Sequence, residues 1–121
     1  MSLEVLEPQE KVLMRFKGMP ISTILNMGFG AEWEKALAVA FLCADGYRAS
    51  VPVSKLTKAK AYLAFERLAH PFTIVKEGKK VSLAPYYLVW DNKNSEFLKN
   101  TGAEIWPYQV VGMELIVAAK Q

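Results

Sequence analysis

Residues 36–43, Ala-Leu-Ala-Val-Ala-Phe-Leu-Cys, make an almost continuous apolar run that stops at Asp45-Gly46. A strand this apolar requires cover on both faces, so it belongs inside a sheet with packing above and below. Asp45-Gly46 supplies the positive φ angles of a tight I′ turn, which makes the run the first arm of a hairpin. Its partner, Tyr47 to Val53, alternates: Tyr47, Ala49, Val51 and Val53 fall on one side, Arg48 and Ser50 on the other. Pro52 marks an edge strand or a strand end, because it has no N–H for a ladder.

The rest of the chain divides into short elements around that hairpin. At 121 residues it is one domain with enough length for a core of its own. Residues 1–10 read as a loosely ordered N-terminal arm, and residues 12–16 as a short strand closed by Lys17-Gly18. Met19-Pro20-Ile21-Ser22 opens a helix with Pro20 in its first turn and Ile21, Ile24 and Leu25 on its apolar face. Gly28 and Gly30 end it, and Glu32 to Lys35 is a polar connection or a helical turn. Ser54 is positioned to cap a short helix carrying Leu56. Ala61 to Phe65 fits a helix or a strand equally, and His70-Pro71 breaks the chain.

Residues 73–83 read as a second hairpin or a long loop, and Tyr86 to Trp90 as a strand following Pro85. Asn94 or Ser95 would cap a small helix through Leu98, stopped by Gly102, before a final strand from Tyr108 to Ala118. Hairpins mixed with short helices, without alternating βαβ units, indicate an α+β fold.

Composition narrows the function classes. An apolar fraction of 52% with 22% charged residues is that of an ordinary globular domain. The net charge of +3 is spread over scattered lysines without interleaved aromatics, which argues against nucleic acid. No apolar run reaches the length of a membrane-spanning helix. A single cysteine, Cys43, permits no internal disulfide and no multi-cysteine metal site. It sits in the apolar strand run, where a cysteine ordinarily serves as a small core residue.

His70, the one histidine, has neither a second histidine nor a cysteine partner for a metal. Gly28-Phe29-Gly30 lacks the third glycine of a phosphate loop. Tyr86, Tyr87, Trp90, Trp106 and Tyr108 fall on two segments expected to adjoin. Alternation puts Tyr86, Leu88 and Trp90 on one face and Tyr87 and Val89 on the other. They either fill the core or form an outward recognition surface.

In order along the chain, Gly18-Met19-Pro20-Ile21 with Ile24-Leu25, Asp45-Gly46-Tyr47 with Ser50-Val51-Pro52, and Ala61-Tyr62-Leu63-Ala64 form a recognisable series. Pro85 to Trp90 and Trp106 to Val117 continue it. The series resembles the sulfite-oxidase-type molybdopterin-binding domain, an oxidoreductase family, over about residues 11 to 118. The likeness is greatest to small stand-alone versions of that domain. It implies a sulfite-oxidase-like fold, a bacterial periplasmic location with the leader absent, and a c-type cytochrome or other exported redox protein as partner.

The departures bear on activity. The family's metal-ligating cysteine precedes the G-x-P-L helix, so Cys43, which follows that helix, lies in the later D-G-Y segment. Where the family has an arginine after P-x and a basic G-A-R-x-V-K-W stretch, this chain has Pro85-Tyr86-Tyr87 and Gly102-Ala103-Glu104-Ile105-Trp106. A glutamate there would repel a phosphate.

The expectation is therefore a non-catalytic accessory or binding module of an exported redox system, with no cofactor. Its partner surface would join Asp45, Tyr47 and Arg48 to Asp91, Trp106 and Tyr108. The alternative is a molybdopterin oxidoreductase domain using Cys43 as its metal ligand.

Overall fold

The computed structural model describes residues 2–92 and 102–118. Those residues form a mixed α+β arrangement of nine strands in three sheets with a few short helices. The largest sheet has the order β1-β2-β5-β8, from Ser2–Glu7 (β1), Val12–Pro20 (β2), Ala61–Arg67 (β5) and Tyr87–Trp90 (β8). The second has the order β4-β3-β9, from Ala38–Cys43 (β3), Arg48–Pro52 (β4) and Val110–Ile116 (β9). Thr73–Lys76 (β6) and Lys79–Ser82 (β7) form a separate hairpin. Every pairing is antiparallel.

The apolar run of the opening hairpin is the central strand of its sheet, with Val39, Ala40 and Phe41 fully buried between β4 and β9. β4 is an edge strand, where Pro52 costs no ladder bond. The turn differs from the expected I′ form. Asp45 does not take a positive φ; Gly46 alone does, at 91°. The Gly46 N–H donates to the Cys43 carbonyl at 2.9 Å, and the Cys43 N–H to the Tyr47 carbonyl at 2.9 Å. The loop thus has three residues and closes on a left-handed glycine. Asp45 still shapes it, accepting the Tyr47 N–H at 3.0 Å through Oδ1. The two-residue turn with both φ angles positive lies instead at Glu77 (53°) and Gly78 (77°), between β6 and β7.

Residues 2–7, expected within a loose arm, form β1 on the edge of the large sheet, paired from Ser2↔Lys17 to Glu7↔Val12. β2 runs through Gly18 to Pro20 rather than closing at Lys17, and α1 (Ile21–Phe29) begins after Pro20 as its cap residue. Ile21 and Leu25 are buried as the periodicity requires. The polar connection after α1 is a 3-10 turn, Gly30–Lys35, that buries Trp33, whose Nε1–H donates to Asn26 Oδ1 at 2.7 Å. α2 (Val53–Lys58) starts one residue before Ser54, which provides no cap. Ala61 to Phe65 resolves as strand because it pairs with both β2 and β8. The small helix expected around Asn94 to Leu98 lies outside the described residues.

β8 joins the sheets. Its residues 87–90 are all fully buried, and only Tyr86, just before the strand, is exposed. Its edge away from β5 receives backbone bonds from the segment leading into β9. The Leu88 N–H donates to the Pro107 carbonyl at 3.0 Å, and the Val110 N–H to the Tyr86 carbonyl at 2.9 Å. Just past β8, the Asn92 side chain meets β1: Oδ1 accepts the Leu6 N–H at 3.0 Å, and Nδ2 donates to the Leu6 carbonyl at 2.7 Å. A side-chain amide thus satisfies the β1 edge where a further strand would otherwise pair.

Gly18 sits where β2 shifts register against β5. A Cβ there would stand 2.7 Å from the Leu63 carbonyl oxygen and 2.9 Å from the Ala64 Cα, both backbone atoms that cannot rotate away. Gly18→Ala should destabilise the domain by about 1–3 kcal/mol, the usual penalty for overpacking. Urea denaturation checks this. A midpoint unchanged from the parent would show that the two strands separate without cost.

Candidate functional site

The strands bring one cleft together from four separate parts of the chain. Gln9 comes from the β1–β2 turn, Asp45 and Tyr47 from the β3–β4 loop, and Lys76 from the end of β6. Ala103, Glu104, Trp106, Pro107 and Tyr108 come from the segment before β9. The cleft encloses about 330 Å³. That is the lower end of the range usual for small-molecule sites.

Its back wall is aromatic and anchored to a buried carboxylate. Tyr87 contacts Trp106 (ring centroids 6.0 Å apart), Tyr108 (6.5 Å) and Phe16 (5.7 Å). Its hydroxyl donates to Glu7 Oε1 at 2.9 Å. Glu7 is 0% exposed, and its two oxygens also accept the Gln9 N–H at 2.9 Å and the Glu10 N–H at 2.7 Å. The Tyr87 phenol is held well above the ordinary tyrosine range, first by burial and then by the adjacent Glu7 carboxylate.

Lys76 is the cation of the cleft. Its ammonium donates to the Tyr108 hydroxyl at 3.2 Å and lies 5.3 Å from the centroid of that ring. Those two distances place it at the hydroxyl end of the ring, so the hydrogen bond outweighs any cation–π contribution. Its pKa is raised, chiefly by that bond and by the Tyr108 oxygen, with Glu77 and Asp45 adding smaller attractions. Glu104 lies in the same cleft, with Oε1 accepting the Gly102 N–H at 3.2 Å.

Of the residues singled out in the sequence, Asp45, Tyr47, Trp106 and Tyr108 meet here. Arg48 does not: it turns to the outer face of β4 and pairs with Glu114 of β9 at 3.2 Å. Asp91 is also elsewhere, its N–H donating to the Lys60 carbonyl at 2.9 Å. Trp106 is only 3% exposed, so it serves as cleft wall rather than outward surface. Lys76 was not singled out, because one lysine before a Glu-Gly turn carries no sequence signal that separates it from its neighbours. Gln9 was likewise hidden in the residues read as a loose arm.

Cys43 does not line the cleft and is 7% exposed. Its thiol pKa is raised by burial and by the Asp45 carboxylate, the opposite of what a metal-binding thiolate needs. These surroundings do not fit a molybdopterin metal. Among the described residues no group of three or more His, Cys, Asp or Glu side chains could hold a metal ion, and no helix is long and apolar enough to cross a membrane. His70 is exposed in the turn after β5. Neither a protein-family model nor a curated protein matches the chain.

Two outcomes follow from the buried groups. Tyr87 has a folded-state pKa above its unfolded value near 10, so its contribution is complete below about pH 10 and declines as pH rises beyond it. Tyr87→Phe should lower stability by about 1–3 kcal/mol at neutral pH by withdrawing a donor from buried Glu7. It should also flatten the alkaline loss of stability, measured by denaturation at pH 7 to 11. Cys43 should react with iodoacetamide at least about tenfold more slowly than a free thiol at pH 8, and reach the free rate only on unfolding. Rapid alkylation of the folded chain would contradict the burial of the thiol.

Proposed function

We propose that this domain is a non-catalytic binding module of the sulfite-oxidase-like lineage, acting as an accessory protein in an exported, periplasmic redox system. Its sulfite-oxidase-like fold and its location belong to this proposal and rest on the motif series in the sequence. The observation that carries the binding reading is the cleft. Four of the six residues expected at a partner surface line it, around a lysine held at a tyrosine hydroxyl. Among the described residues its lining holds no serine, cysteine or histidine. It has instead aromatic wall, one cation and two carboxylates, the materials of recognition.

A c-type cytochrome of the same compartment is the partner class this lineage suggests. The burial of Trp106 changes which substitutions test it. Trp106→Ala would open a cavity costing about 3–5 kcal/mol, and lost binding would then report unfolding. Tyr47, 51% exposed, and Lys76 are the informative positions.

Titration of the domain with a purified periplasmic c-type cytochrome should show saturable binding. It should weaken at least about tenfold in Tyr47→Ala and Lys76→Met with unchanged melting temperatures. Binding indifferent to both substitutions would remove the cleft from the partner surface. Expression in a molybdopterin-making host should yield no stoichiometric molybdenum. Stoichiometric metal lost on Cys43→Ala would replace this reading with the oxidoreductase one.

A further inference from the structure

Among the described residues, the Trp106 indole N–H is the one that has no partner. Trp33 Nε1 donates to Asn26 Oδ1 and Trp90 Nε1 to the Ile105 carbonyl, each at 2.7 Å. Trp106 Nε1 has no acceptor among the described residues, although the side chain is 97% buried by complement of its 3% exposure. The only sealed side-chain nitrogen or oxygen lacking a partner among those residues is Arg67 Nε, so the Trp106 nitrogen reaches solvent. Trp106 lines the cleft, so a ligand seated there can replace water as the acceptor for that nitrogen.

Two further donors line the same cleft. Lys76 gives one proton to the Tyr108 hydroxyl and keeps two for other acceptors. The Tyr108 hydroxyl, accepting from Lys76, has its own proton to donate. An ammonium, a phenol and an indole N–H in one small cleft are a receptor for a carboxylate. A simple anion would nonetheless meet two negative groups in the same cleft, Asp45 and Glu104. Each uses one oxygen for a backbone N–H and keeps the other available. With Lys76 the cleft carries one positive and two negative charges, which complements a ligand that also bears a cation. The exposed Tyr47 ring is a further surface on which a cation or an apolar group can rest.

We propose that the cleft binds a free α-amino acid with an apolar side chain. Its carboxylate is held by Lys76, Tyr108 and Trp106, and its ammonium by Asp45 and Glu104. The proposal rests on the reading of this cleft as the binding site, and names the class of small ligand that the site takes. About 330 Å³ accommodates a molecule of that size, with Pro107 and Ala103 as apolar lining.

The three indole N–H signals of the ¹⁵N-labelled chain give a direct test, with L-phenylalanine as probe. Phenylalanine should shift the Trp106 signal saturably and leave those of Trp33 and Trp90 in place. Signal assignment comes from Trp106→Phe. 3-Phenylpropanoate, which lacks the ammonium, and 2-phenylethylamine, which lacks the carboxylate, should each bind at least about tenfold more weakly, a difference of about 1.4 kcal/mol. Lys76→Met should abolish the response to phenylalanine while its Trp33 and Trp90 signals stay at their parental positions.

No shift at 50-fold molar excess, or equal binding of phenylalanine and 3-phenylpropanoate, would overturn the proposal. A cytochrome titration that depends on Tyr47 and Lys76, beside a silent phenylalanine titration, defeats this inference alone. The reverse pattern defeats the accessory-partner reading and leaves the amino-acid site standing.

Discussion

One buried carboxylate organises this molecule. Glu7 is the only charged side chain fully enclosed among the described residues, and three donors converge on it: two backbone N–H groups of its own turn and the Tyr87 hydroxyl. A charge in that position is tolerable only while its acceptor capacity is filled. The same bonds therefore impose the shape of the β1–β2 turn and the position of Tyr87 at the head of β8. Glu10, in the same turn, accepts the Val75 N–H at 3.0 Å and so holds the β6–β7 hairpin against it. From one residue the constraint passes to two hairpins and to the strand that joins the sheets.

The cleft inherits its rigidity from that arrangement. Tyr87 stands behind Trp106 and Tyr108, and its own hydroxyl is locked to Glu7. Aromatic walls built on a fixed ring lose little freedom when a ligand arrives, which favours binding over adaptation. Lys76 arrives from the far side, on a hairpin that the Glu10 carboxylate ties down. The side chains of the cleft are thus held by elements whose own places depend on those hydrogen bonds. The cleft lining gathers donors, acceptors and rings from four separate parts of the chain.

Much of the fold was legible in the residues, and the exceptions have physical causes. The apolar run 38–43 had to be covered on two faces, and it is the central strand of its sheet. Ile21 and Leu25 marked the buried face of α1 by their spacing. Residues 2–7 were illegible because their pairing depends on β2 and on a carboxylate satisfied by a tyrosine 80 positions away. The turn at Asp45-Gly46 was misjudged because the dipeptide suits both two- and three-residue loops; the register of β3 against β4 decided for three. For β8, alternation left core filling and an outward surface both open, and neighbours that cover both sides and its free edge decide for the core.

The site shows the same division at closer range. The residues alone determined a mixed α+β chain, a hairpin after an apolar strand, a cysteine placed for the core and an aromatic group near the C-terminal strand. They also pointed to Asp45, Tyr47, Trp106 and Tyr108, which share one cleft. Tertiary structure decided that Arg48 and Asp91 lie apart from it, that Trp106 is a buried wall, and that Lys76 supplies the cation. The reason is that local pattern governs which face of its own element a residue takes. Which elements then confront one another depends on strand order and on buried polar bonds between distant positions, such as Glu7 with Tyr87.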